Sequence, residues 1–117
     1  MDIITICDLA VLVHIGVPDE ERAKPQRLLL NVEMSLDVAA AAAKDDLTQT
    51  IDYFAVSRRL LGFGEGRQWK LIETLAVDIA ETLRREFGVK LVSVEVKKFI
   101  LSEAKYVSVS VTRPAEA

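Results

Sequence analysis

The chain is poor in the residues that staple small proteins or mark specialised sites. It has one cysteine, Cys7, and one histidine, His14. A lone thiol cannot close an intramolecular disulfide, which points to a reducing compartment. One Cys and one His cannot supply a typical zinc site, so no metal is expected. Three Pro and five Gly among 117 residues exclude collagen-like and linker-like material. Positive charge is not in surplus: 15 Lys and Arg stand against 18 Asp and Glu. Proteins that grip phosphate backbones carry a basic excess, so nucleic acid is not the expected partner. Residues 1–17 are apolar, but Asp2 and Asp8 interrupt them and no basic segment precedes them. That stretch is neither a signal peptide nor the roughly 20-residue span a bilayer requires. A cytoplasmic protein with no membrane contact is expected.

Half of the residues are hydrophobic, enough to close one core, so residues 1–117 are read as a single domain. Leu9, Val11, Val13 and Ile15 alternate with more polar neighbours, the period of a strand. Residues 16–25 hold Gly16, Pro18, Pro25 and five charged side chains, and read as an exposed loop. A second alternation follows over residues 26–37, with Leu28, Leu30, Val32, Met34 and Leu36 on one side. The alanine run at 39–43 starts a helical turn or a loop excursion. Asp52 is a plausible N-cap for a helix over 53–61, which Gly62, Gly64 and Gly66 end. A stronger helix is predicted over 70–87: Ile72, Leu75, Ala76, Ile79, Ala80, Leu83 and Phe87 form one stripe, and Gly88 closes it. Val92, Val94 and Val96, then Val107, Val109 and Val111, mark two last strands around a loop at 99–105.

The order strand, strand, helix, helix, strand, strand predicts an α+β fold: a four-stranded antiparallel sheet with two helices on one face. Such a sheet has two open edges, and Ala10, Leu12 and Leu29 make its other face partly apolar. Pairing with further copies of the chain is the physical expectation.

Few positions suggest chemistry. The Gly62–x–Gly64–x–Gly66 run follows a helix and lacks the lysine and hydroxyl of a phosphate loop, so it reads as a turn. His14 sits in a strand and reads as structural. Lys98 continues the register of Val92, Val94 and Val96, so it points to the apolar side. Its stem could lie on the core with the amine in water, or the amine could be partly desolvated and available for proton transfer. Glu21 could be a solvated loop carboxylate. Glu73, in the first turn of the long helix, could serve only its dipole.

In combination these residues resemble a known family. Ile15-Gly16-Val17-Pro18-Asp19-Glu20-Glu21 resembles the I-G-V-x-x-x-E loop of dihydroneopterin aldolases. Asp45-Asp46 followed by Asp52-Tyr53 resembles their D-D…D-Y segment. Leu71-Ile72-Glu73-Thr74-Leu75-Ala76 resembles their L-x-E-x-L-A helix start, and Val94-Glu95-Val96-Lys97-Lys98 their V-x-V-x-K strand.

The resemblance implies the tunnelling fold, with subunits closing a β-barrel as a homo-oligomer (tetramer or octamer) and active sites at subunit interfaces. It implies cleavage of 7,8-dihydroneopterin, a small-molecule pterin, on the route to folate, with no cofactor and no lysine Schiff base. Lys98, Glu21 and Tyr53 would be catalytic, Tyr53 reaching in from a neighbouring subunit. Glu73 would hold the pterin, with Ile72 and Tyr53 lining its pocket. One departure stands out: Phe99 follows Lys98 where many of these aldolases have proline. That resembles the sister epimerases, which act on dihydroneopterin or its triphosphate. Arg22, Lys24 and Arg27 are the candidates for meeting a triphosphate.

Overall fold

A computed structural model of the chain describes residues 1–115; Glu116 and Ala117, the end of the expected 1–117 domain, lie outside them. The fold is α+β. Its sheet is built from β1 (Asp2–Ile15), β2 (Gln26–Leu36), β3 (Gln68–Trp69), β4 (Leu91–Lys98) and β5 (Val107–Arg113), in the spatial order β3-β1-β2-β4-β5. The four long strands pair antiparallel, while β3 adds two residues parallel to the end of β1. The expected four-stranded antiparallel sheet is therefore corrected to a mixed sheet of five. Gln68 and Trp69 escaped notice because two residues carry no readable period.

The expectation of two helices is also too few. The helices are α1 (Asp19–Arg22), α2 (Ala39–Lys44), α3 (Tyr53–Leu61) and α4 (Ile72–Phe87), with a 3₁₀ turn at Leu47–Gln49. The segment at 16–25 is thus not wholly loop. The alanine run does form a helix, and it ends on Asp45 in the left-handed region. Helix α3 starts where expected, because the Asp52 carboxylate accepts the N–H groups of Phe54 and Ala55 at 3.0 and 3.2 Å. Helix α4 begins two residues later than predicted and ends at Gly88, whose φ is +66°. No helix among the described residues is long and apolar enough to cross a membrane.

Strand β1 keeps one apolar face over 14 residues by changing parity. Ile6 pairs with Val32 and Leu9 with Leu30, so three steps on β1 oppose two on β2. Asp8, at φ +53°, absorbs the extra residue as a bulge. Ile4 and Ile6 consequently face the same side as Val11, Val13 and Ile15. The core forms where that side meets α3 and α4: Leu28, Leu30, Val94, Val96, Leu75, Ile79 and Leu83 are all buried. Trp69 fixes β3 to α4 by donating its indole N–H to Asp78 at 2.8 Å, and it stacks on Phe63 with ring centroids 5.7 Å apart.

Replacing Asp52 with alanine leaves two N–H groups of α3 without their acceptor. A loss of about 1 kcal/mol is expected from the loss of such a cap, read as a lower urea midpoint at unchanged slope.

Candidate active site

Four elements converge beside the end of β4. Lys98 is the last residue of that strand, and its register with Val92, Val94 and Val96 aims it to the helix side of the sheet. Its Nζ lies 2.7 Å from Glu21 Oε2, and the two side chains are only 13% and 21% exposed. Glu21 sits in α1, the single turn that follows β1. Glu73 lies in the first turn of α4. Its depression of about 290 Å³ is lined also by Lys98, Ile72, Val17, Ile100, Val107 and Val109 among others. Of the two readings open for Lys98, a partly desolvated amine in polar contact fits this placement, and a solvated tip does not.

The Glu21 carboxylate is tightly held. The side-chain amide of Gln26 donates to Glu21 Oε2 at 2.8 Å and to the Ile15 carbonyl at 2.7 Å. Bonding to the Lys98 ammonium, and then to Gln26, holds the Glu21 pKa below its ordinary value against the opposing effect of partial burial. Gly16 supplies the room. Its φ is +148°, and a Cβ there would stand 2.4 Å from Glu21 Cδ, so only glycine admits the carboxylate. Arg22 fastens the same loop from outside, donating to the carbonyls of Gly16 and Val17 at 2.8 and 2.9 Å. His14 donates to the Arg22 carbonyl at 2.8 Å, which is the structural role expected of it.

Not every predicted residue joins the group. Glu21, Ile72, Glu73 and Lys98 come together, Ile72 largely as part of the core at 8% exposure. Tyr53 stands outside the depression at the start of α3, 63% exposed. Arg22 is committed to its own loop, and Lys24 and Arg27 are exposed and do not line the depression. Gln26 was not anticipated. Its signal was a polar residue in the register of Leu28 and Leu30, on the apolar face of β2.

A lysine–carboxylate pair, a second carboxylate at a helix start and apolar walls make a site that can move protons and accept N–H donors. Comparison with known proteins shows the family. The family model FolB, dihydroneopterin aldolase, matches residues 4–112. The dihydroneopterin aldolase of Streptomyces coelicolor is 37% identical over 98 residues, covering 84% of this chain and 82% of its own length. That of Haemophilus influenzae is 30% identical over 114 residues, 97% of either chain. The solved Escherichia coli dihydroneopterin aldolase in complex with neopterin superposes with a TM-score of 0.91 at 31% identity, covering 97% of this chain and 99% of that one. The chain belongs to the dihydroneopterin aldolase family.

The depressed pKa of Glu21 has a pH signature. A carboxylate that ionises more readily folded than unfolded stabilises the fold above its ordinary pKa, and that stability is lost as pH falls through the folded value. Wild type should therefore exceed Glu21→Gln in unfolding free energy at neutral pH, the difference shrinking on acidification. Denaturant titrations across pH 3–7 check this, and a pH-independent gap would contradict it.

Proposed function

We propose that this chain cleaves 7,8-dihydroneopterin by retro-aldol chemistry to 6-hydroxymethyl-7,8-dihydropterin and glycolaldehyde. The observation that carries this reading is the 2.7 Å contact of Lys98 with Glu21 beside the depression that Glu73 shares. The reaction needs a base to take the 2′-hydroxyl proton and an acid to return one. As the proton leaves, the bond between C1′ and C2′ breaks and C2′ departs as the aldehyde carbon. The bond's electron pair passes to C1′ and into the ring imine, giving an enamine that is then protonated at C1′. Since the ring itself is the electron sink, neither a metal nor a lysine Schiff base is required. Lys98 acts through protons, with Glu21 as its charge partner.

Recognition follows from the other end of the site. The Glu73 carboxylate can accept two N–H donors from a 2-amino-pyrimidinone edge, a bidentate and charge-assisted pairing. Ile72 and Glu73, which line the depression, belong to the first turn of α4, where N–H groups have no intrahelical acceptor. Ile72 lends apolar contact to the ring.

The reading also has Tyr53 reaching the pterin from a second copy. Its exposure, and its absence from the lining of the depression of its own chain, support that role. Among the described residues, strand β5 pairs on one side only, and the first part of β1 lacks a partner on the side that β3 occupies further along. Such edges favour closure into a homo-oligomeric barrel (a tetramer or octamer) with sites at subunit interfaces. Residues 1–117 serve as one domain of a cytoplasmic enzyme; the Haemophilus influenzae relative, matched over 97% of the chain, supports the single domain.

Lys98→Ala should lower turnover of 7,8-dihydroneopterin by about 10²–10⁴-fold while neopterin still binds. Glu73→Ala should instead weaken neopterin binding about 10–100-fold, as expected for lost charge-assisted hydrogen bonds. Steady-state kinetics with a neopterin titration separate the two; unchanged turnover in Lys98→Ala would defeat the mechanism.

A further inference from the structure

Lys98 occupies a weak point of the sheet. Pairing of β2 with β4 ends at Leu29 opposite Lys97, so among the described residues the backbone of Lys98 has a strand partner only in Val107 of β5. Directly after it, Phe99, Ile100 and Leu101 are 46%, 49% and 53% exposed. A strand end with a pairing partner on one side and exposed residues directly after it has few contacts of its own to fix its backbone. Yet Lys98 Nζ must be kept in contact with Glu21, on a different element.

The opposite face of the sheet carries the fastening. Lys97 Nζ donates to Asp8 Oδ1 at 2.9 Å and stands 4.9 Å from the centre of the Tyr106 ring. The side-chain amide of Asn31 donates to the same Asp8 oxygen at 3.1 Å and to Glu95 at 3.0 Å. In return, Asn31 Oδ1 accepts the backbone N–H of Asp8 at 2.7 Å. The network joins three strands: Asp8 lies in the bulge of β1, Asn31 in β2, and Glu95 and Lys97 in β4. Tyr106 brings in the far end of the 99–106 loop. Only 16% of the Lys97 side chain is exposed.

We propose that Asp8, Asn31 and Lys97 form a positioning clamp that holds the end of β4 and so sets Lys98 against Glu21. The inference rests on the reading of Lys98 as a catalytic group. Neighbouring residues of a strand project to opposite faces, so immobilising Lys97 fixes the backbone from which Lys98 reaches into the site. The bulge has a second use here: it presents the Asp8 carboxylate, across β2, to a lysine two strands away. With the Asp8 side chain 46% exposed, solvent screens the ion pair and it contributes little to global stability. The clamp should consequently register in the chemical step, where small displacements are costly.

The test compares Lys97→Met, Asp8→Asn, the double variant, Lys97→Arg and Lys98→Ala. Asparagine tolerates the left-handed conformation of position 8, so the bulge survives that substitution. Lys97→Met and Asp8→Asn should each lower kcat at least tenfold, with KM and the neopterin Kd changed less than twofold. The double variant should be no worse than either single one, and Lys97→Arg should recover most of kcat. Wild-type kcat in Lys97→Met and Asp8→Asn, with Lys98→Ala inactive, would overturn the clamp and leave the Lys98 reading standing. Multiplicative losses in the double variant, or a change in KM rather than kcat, would also overturn it. An active Lys98→Ala would remove the clamp together with the reading beneath it.

Discussion

The contact between Lys98 and Glu21 joins two parts of the molecule far apart in sequence: the last residue of a strand and a single helical turn after β1. Most of the surrounding geometry serves that meeting. Gly16 leaves the space, Gln26 holds the carboxylate, and Arg22 ties down the loop that carries it. Partly buried charges are costly unless paired and hydrogen-bonded. The pair is tolerable here because each group answers the other and Gln26 takes part of the carboxylate's remaining capacity. The pair stands beside an open depression, within reach of a bound molecule.

The fold was legible in the sequence wherever a period ran long enough. The stripe from Ile72 to Phe87, the Asp52 cap and the valine alternations specify their elements because burial and backbone hydrogen bonding act on every residue of the segment. Features of one or two residues were not legible. The bulge at Asp8 reverses the alternation of β1, so the earlier half of the strand does not read in phase with Leu9–Ile15 alone. Residues 68 and 69 become a strand only because Trp69 is anchored to Asp78 and Phe63. Helix α1, four residues long, is indistinguishable by pattern from a charged loop.

The candidate site shows the same division. Lys98 was conspicuous as a lysine in an apolar register, while Glu21 and Glu73 each had an adequate structural explanation when taken alone. Their convergence is a property of strand order, which composition and spacing do not encode; it was the resemblance to a family that grouped them. Tyr53 marks the remaining gap. One chain leaves it exposed at the head of α3, so any part it has in the reaction depends on how copies meet.

The central claim is tested most directly by incubating the purified protein with 7,8-dihydroneopterin under anaerobic conditions and separating the products by chromatography. The account predicts 6-hydroxymethyl-7,8-dihydropterin as the main pterin product, with an equal quantity of glycolaldehyde. Unconsumed substrate, or the 2′-epimer as the main product, would contradict it.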